Sequence, residues 1–404
     1  MADSEQQQKW HDIGANQLKL VVSASDRMQT VIDLIEDADS SLHIFYYMFE
    51  EDQIGQAVMK SLIEACQRGV SVELIVDSFG SNGASESFFR QLKNAGAKFA
   101  MFSPRISTSY FVRNHQKMAI ADEKLLLIGG FNIADQYFNR HSDDEDNEKS
   151  PSSWEDLGLL LKGPEVDRLM EYFRQLSQWV HSQNGQLRPL RKLIKGWNTG
   201  DGQFQWLLGG PSNRLSQWAV SIKRDLEQGQ KLDLVTAYFS PGQGLLRRIG
   251  KLSKRGGTSR MILAGKTDNA ATIGASRLLY GYLLKRKARV FEYQPKRLHM
   301  KMVVVDDAVY IGSANFDIRS LFINVEMMLR IEDKNFATQA RLLIDDLSER
   351  SEEITLPLHN SRAGLLNRLR WTLSYLVVNA IDYSVTRRFN FGLGKKADLL
   401  PPGD

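Results

Sequence analysis

Histidine, lysine, aspartate, a pair of small residues and asparagine recur in one order at two places in this sequence of 404 residues. The first run is His115-Gln116-Lys117, then Asp122, then Gly129-Gly130-Phe131-Asn132, and the second is His299-Met300-Lys301, then Asp306, then Gly312-Ser313-Ala314-Asn315. Six positions repeated in order, at about one residue type in twenty each, make coincidence improbable for one run and negligible for two. The chemistry these types permit is phosphoryl transfer. An imidazole ordinarily titrates near about 6.5, so at neutral pH one histidine can be a neutral nucleophile while its partner carries a proton, without a metal. Small residues let backbone approach a phosphate closely, and the asparagine amide adds a donor.

The spacing says what must position these groups. Residues two apart on a strand share a face, so each His and its Lys are expected to point into the site while Met118 and Ile120, or Met302 and Val304, turn to the core. After Asp122 or Asp306 the chain is expected to turn and return as a second strand, Leu125–Ile128 or Val309–Ile311, which brings the small pair and the Asn beside the His. Five residues separate Asp306 from Gly312 where six separate Asp122 from Gly129, so the second hairpin is expected to be one residue tighter.

The elements around the motifs repeat as well. Leu42–Phe49 reads as a buried strand; Ile54, Val58, Leu62, Ile63 and Cys66 mark one face of a helix ended by Gly69; Val70–Asp77 reads as a further strand. The order recurs as a strand at Leu232–Phe239, a helix at Leu245–Leu252, a break at Arg255-Gly256-Gly257 and a strand at Arg260–Ala264. This predicts an α/β protein of two duplicated α/β/α lobes, each a sheet flanked by helices. The boundaries read as an N-terminal extension at 1–17, lobes at 18–181 and 203–356, a Gly-, Asn-, Gln- and base-rich linker at 182–202, and a tail at 357–404. The acidic stretch Ser142–Ser153 reads as a solvated surface excursion.

Composition is that of an ordinary globular protein, 42% apolar and 25% charged, with a net charge of +4. A mildly basic balance suits anionic partners, phospholipid headgroups or nucleic acid, without choosing between them. Cys66 is the only cysteine, which excludes an intrachain disulfide framework and a Cys-based metal site and favours a reducing compartment. The polar, acidic start and the lack of any apolar run of about 18 residues predict a cytoplasmic chain with no spanning helix. His11, His43, His141, His181 and His359 lack the motif context and are not site candidates.

The paired pattern resembles the phospholipase D superfamily, and its flanks resemble the cardiolipin synthase branch: Phe131-Asn132-Ile133-Ala134-Asp135, Trp154-Glu155-Asp156, Phe291-Glu292-Tyr293-Gln294-Pro295, Asn315-Phe316-Asp317-Ile318-Arg319-Ser320 and Asn324-Val325-Glu326. The resemblance spans about Leu18 to Ile331. It implies one site shared by the two lobes, with the motif residues His115, Lys117, Asp122, His299, Lys301 and Asp306. His115 would attack phosphorus and His299 would protonate the leaving alcohol, through a phosphohistidine, with no cofactor or metal. Lys117, Lys301, Asn132 and Asn315, with Gly130 and Ser313, would hold the phosphate oxygens, whose charge grows in the transition state. Asp156 and Glu326, at similar distances beyond the two Asn residues, read as acceptors that orient the two imidazoles. Asp122 and Asp306 lie at the far ends of their strands and read as framework residues.

The same chemistry serves lipases, transferases and nucleases, so the flanks and the tail must select the substrate. Leu365, Leu369, Leu373 and Leu376 recur at helical spacing with Trp371 and Tyr375, bracketed by Arg362, Arg368, Arg370, Arg387 and Arg388. Two readings stand: a helix lying among lipid headgroups, or a terminal helix packed on the core. The expected function is a peripheral enzyme on the cytoplasmic side of the membrane that makes cardiolipin from phospholipids, phosphatidylglycerol or phosphatidylethanolamine being donors, with no nucleic acid as partner. A phospholipase D-type hydrolase of lipid or nucleic acid is the alternative. A non-catalytic lipid-binding scaffold would show a damaged motif, and both motifs are intact.

Overall fold

The computed structural model describes residues 9–104, 112–138, 154–182, 185–211, 215–267 and 269–389, with side chains to 378. The acidic stretch Ser142–Ser153, His141 and the extreme termini lie outside the described residues. The chain divides into two units between Asn198 and Thr199, within the expected linker.

In the first unit the strands are β1 (His11–Ile13), β2 (Asn16–Val21), β3 (Ser41–Tyr46), β4 (Ser71–Asp77), β5 (Lys98–Phe102), β6 (Lys117–Ala121), β7 (Leu125–Gly129) and β8 (Gly158–Lys162). They form one sheet in the order β1-β2-β8-β7-β6-β3-β4-β5. The neighbours β3, β4 and β5 are parallel, and the remaining pairs are antiparallel. Helices α1 (Ala24–Glu36), α2 (Gln53–Gln67) and α3 (Glu86–Asn94) cover one face, where Ile44, Leu74, Ala119 and Leu127 meet Val31, Val58, Leu62 and Phe88. The opposite face carries α4 (Pro164–Ser182), whose Trp179 ring lies 4.9 Å from Phe102. Helix α2 shows how local sequence sets the bounds: the Asp52 carboxylate accepts from the Gly55 N–H, and Gly69 takes φ 93° just past the end. The expected linker is not all linker. Leu187–Gly196 forms α5, because Leu190 and Ile194 bury while Arg188, Lys192 and Lys195 stay out.

The second unit repeats this plan. Its strands are β9 (Phe204–Gly209), β10 (Lys231–Thr236), β11 (Thr258–Ala264), β12 (Arg289–Tyr293), β13 (Lys301–Val305), β14 (Ala308–Gly312), β15 (Glu326–Glu332) and β16 (Ser351–Glu353), ordered β9-β15-β14-β13-β10-β11-β12-β16. Position for position this is the first sheet, except that the extra strand lies at the opposite edge. Helices α6 (Gln217–Gln228), α7 (Gln243–Lys254), α8 (Ala270–Leu284) and α9 (Lys334–Glu349) flank it. The tail forms α10 (Leu356–Arg362) and α11 (Leu365–Phe389). It is no separate appendage, since Trp371 is 6% exposed and stacks on His359, and Ser374 lies against Gly274 of α8.

Both motif hairpins form, and they differ in the turn alone. Ala121 pairs with Leu125 across three residues, of which Asp122 and Glu123 have positive φ, whereas Val305 pairs with Ala308 across two, with positive φ at Asp306. At the other end Met118 faces Ile128 and Met302 faces Ile311, so the register beside the histidines is the same.

The two aspartates work in these turns. Asp122 accepts from the N–H groups of Asp39, Ser40 and Ser41 at 3.0, 2.7 and 2.9 Å and from the Ser40 hydroxyl, which fixes the start of β3. Asp306 does the same for Gln230 and Lys231 at the start of β10. Burial works against the charge on Asp122, but these hydrogen bonds outweigh it and hold the carboxyl well below its ordinary value. A depressed pKa stabilises the fold above the unfolded value of about 3.9 and loses that contribution as pH falls. Asp122→Asn is therefore expected to lose about 1–2 kcal/mol at pH 7, the exposure of the carboxylate limiting the effect. Urea unfolding at stepped pH should show the gap between variant and parent closing below about pH 4.

Candidate functional site

In the first unit the site grows from the entry to β6. His115 lies not in the strand but two residues before it, because pairing with β3 starts at Lys117 opposite Tyr46. The expectation that His and Lys share one strand face is corrected to that extent. Lys117 is 2% exposed, and its Nζ donates to the carbonyl of His115 at 2.5 Å. Tyr47 stands under both: its ring centre is 4.9 Å from that of His115, edge to face, and 5.1 Å from Lys117 Nζ. The face bearing Lys117, Ala119 and Ala121 continues into the helix-covered core, while Met118 and Ile120 are buried on the other, so both faces are enclosed.

After β7 the chain reaches Gly130 and Asn132. Gly130 has a strict reason to be glycine: a Cβ there would lie 2.3 Å from Asp156 Oδ1. The small residue expected to admit a phosphate thus admits the Asp156 carboxylate, which also accepts from the Leu157 N–H at 2.8 Å. Asn132 is buried; its Oδ1 accepts from the Met48 N–H at 3.2 Å and its Nδ2 donates to Tyr137 Oη at 2.8 Å, with one amide proton beyond that bond.

Arg27 braces this wall. Its guanidinium, wholly buried, donates to the carbonyls of Val22, Asp156, Tyr137 and Trp154, the last three at 2.7, 2.8 and 3.1 Å. Burial lowers its pKa, opposed by Asp156 and Glu155. In the sequence Arg27 looks like any helix-surface charge, so its role was not legible there. Asp77, at the end of β4, is a second buried group missed at the sequence level; burial lifts its carboxyl to about 6 against three backbone hydrogen bonds and Arg113.

The second unit builds the same parts with different side chains. His299 is 5% exposed, again two residues before its strand, and Lys301 Nζ reaches both its carbonyl and its Nδ1, the latter at 2.8 Å. Ser313 stands where Gly130 stands. Its hydroxyl donates to Glu326 and accepts from the Met327 N–H at 3.1 Å, so this residue, expected at the phosphate, is engaged with the carboxylate corresponding to Asp156. Glu326 also accepts from Asn324 Nδ2 at 3.3 Å. Asn315 is buried, and its amide oxygen accepts no hydrogen bond among the described residues. Among the described residues, no group of three His, Cys, Asp or Glu is arranged to hold a metal ion.

Likeness to known proteins agrees with this construction. Residues 31–175 and 222–347, one motif in each stretch, match the family model described as "Cardiolipin synthase, PLD-like domain". The chain is 30% identical over 349 residues to cardiolipin synthase A of Pseudomonas putida, covering 84% of this chain and 70% of that protein. It is 28% identical over 331 residues to cardiolipin synthase B of Escherichia coli O6:H1, covering 80% and 78%. In fold it resembles the phosphatidylserine synthase of Haemophilus influenzae, with a TM-score of 0.73 at 13% identity over 95% of this chain and 98% of that one. A duplicated motif on duplicated sheets, matched in both halves, places the chain in the phospholipase D-like family of cardiolipin synthases.

Proposed function

We propose that this protein transfers a phosphatidyl group from one phospholipid to a hydroxyl of another, making cardiolipin at the cytoplasmic face of a membrane, with phosphatidylglycerol or phosphatidylethanolamine as donor. The observation that carries this reading is the duplicated His–Lys pair, each with a buried ammonium folded against its own histidine, in a chain whose relatives are named for cardiolipin synthesis. Each half contributes one histidine, and phosphoryl transfer needs two roles. His115 attacks phosphorus, forming an N–P bond as the P–O bond to the leaving alcohol breaks, and His299 gives that alcohol its proton. His299 then takes the proton of the acceptor hydroxyl as its oxygen displaces the imidazole. The division of roles is the one the family resemblance implies; in the neutral form of the His299 ring, Lys301 Nζ donates to Nδ1 and the ring proton lies on Nε2. Lys117, Lys301, Asn132 and Asn315 stabilise charge that grows on the non-bridging oxygens.

Peripheral attachment is assigned to α11. No helix among the described residues is long and apolar enough to cross a membrane. Helix α11 has two apolar faces: Trp371, Ser374 and Tyr375 pack inward, while Leu366, Leu369, Leu373 and Leu376 recur at three- and four-residue steps on the outside, Leu366 being 84% exposed. Arg368 and Arg370 on the same turns are exposed, which suits anionic headgroups. The two readings of the tail thus describe opposite sides of one helix.

Incubation with labelled phosphatidylglycerol vesicles should yield labelled cardiolipin; phosphatidic acid as the sole product would make the enzyme a hydrolase. His115→Asn or His299→Asn should each remove nearly all turnover, their losses not adding, and retention of more than a few per cent by either would refute the two-histidine scheme. Activity should persist in EDTA, since nucleophile, acid and cationic clamp are all side chains. The triple variant L366S/L369S/L373S should keep the parent melting temperature and turn over a short-chain soluble substrate normally. Its affinity for anionic vesicles, followed by co-sedimentation, should fall at least about tenfold, given about 1.5–3 kcal/mol for each leucine fully withdrawn from water. Unchanged vesicle binding would move the docking surface elsewhere.

A further inference from the structure

Asp77 is a fully buried carboxylate with no part in the scheme above, and its hydrogen bonds lead to the nucleophile. One oxygen, Oδ1, accepts from the N–H groups of Phe79 and Gly80 at 2.9 and 3.0 Å, closing a turn at the end of β4. The other, Oδ2, accepts from the N–H of Asn114 at 2.8 Å, the residue before His115. Asn114 Oδ1 in turn accepts from the Gln116 N–H at 3.1 Å, and Gln116 Oε1 accepts from the Tyr172 hydroxyl at 2.9 Å. The residues on either side of His115 are thus tied to the frame while His115 itself stays partly exposed.

The duplicated fold supplies an internal control. Lys117 pairs with Tyr46 and Tyr46 with Val76; Lys301 pairs with Thr236 and Thr236 with Leu263. One residue further on, Asp77 corresponds to Ala264, and the neighbours of His299 are Leu298 and Met300, all buried. The second unit places its histidine with Ala264 at this position, so the carboxylate is not a demand of the fold. It occurs only in the half that supplies the nucleophile, where the angle of attack on phosphorus must be held as well as the position.

We propose that Asp77 is a positioning residue for His115: it fixes the backbone of Asn114 and so aims the imidazole along the line of attack. This rests on His115 being the nucleophile. Asp77→Asn keeps the volume but places an NH2 group against one set of backbone N–H donors.

The test uses a phosphatidyl ester of p-nitrophenol, whose leaving group departs as phenolate at pH 8 and needs no proton from His299. The burst of p-nitrophenolate then reports formation of the N–P bond alone. Asp77→Asn should slow the burst by about ten- to a hundredfold, the scale of a misaligned catalytic group, with KM within about twofold of the parent. A burst within twofold of the parent overturns the positioning role. A burst that survives His115→Asn overturns instead the assignment of the nucleophile. If Asp77→Asn does not fold, replacing the Arg113–Asn114 peptide bond by an ester removes the N–H that Asp77 Oδ2 accepts and reads the same tether from its other end. It should slow the burst selectively too, and an unchanged burst there equally overturns the proposal.

Discussion

Two lysine ammonium groups, on Lys117 and Lys301, lie almost fully withdrawn from water, and much of the structure around each can be understood as the means of keeping it there. A buried charge costs several kcal/mol unless it is paired or hydrogen-bonded. Each ammonium answers this by folding back on the carbonyl of its own motif histidine, and in the first unit the face of Tyr47 adds a cation–π contact. The lysine positions depend on strands enclosed on both faces, which in turn depend on helices before and behind the sheet. Cations held in this way favour an anion whose charge increases during reaction, the property a phosphoryl-transfer site requires.

Around that constraint the two units solve one problem with different side chains. Gly130 makes room for the Asp156 carboxylate by having no side chain, whereas Ser313 binds Glu326 through its hydroxyl. Buried Asp77 holds the loop before β6, whereas the corresponding position of the second unit is Ala264. The backbone is repeated more faithfully than the means of securing it.

The sequence was most informative where chemistry and periodicity coincided. Residue types at fixed spacing revealed both hairpins, the missing turn residue in the second and the framework role of Asp122 and Asp306. It was least informative where a side chain gains meaning from residues far along the chain. Arg27 braces carbonyls more than 100 positions away, and Asp77 reaches Asn114; neither spacing carries a local signal. Helix α5 was hidden because four basic residues mask the two apolar positions that bury, Leu190 and Ile194. Strand pairing starts at Lys117 and not at His115, a matter of partner register that the motif alone does not contain. In α11 an all-round scatter of apolar residues concealed two separate faces, which only the position of α8 tells apart.

The unequal turns at Asp122 and Asp306 bear on how this architecture tolerates change in length. Removing one residue inside β6 or β13 would send every later side chain to the opposite face of the sheet, exchanging Met118 for Lys117 as the group turned inward. Removing one at the turn leaves the far end of the hairpin in register, as the pairing of Met302 with Ile311 records. The ends remote from the histidines therefore act as a buffer, where a change of length is absorbed without reaching the chemistry. A peptide tag or fluorophore grafted between Glu123 and Lys124 would exploit that same slack, reporting on the protein from a place its catalytic residues do not feel.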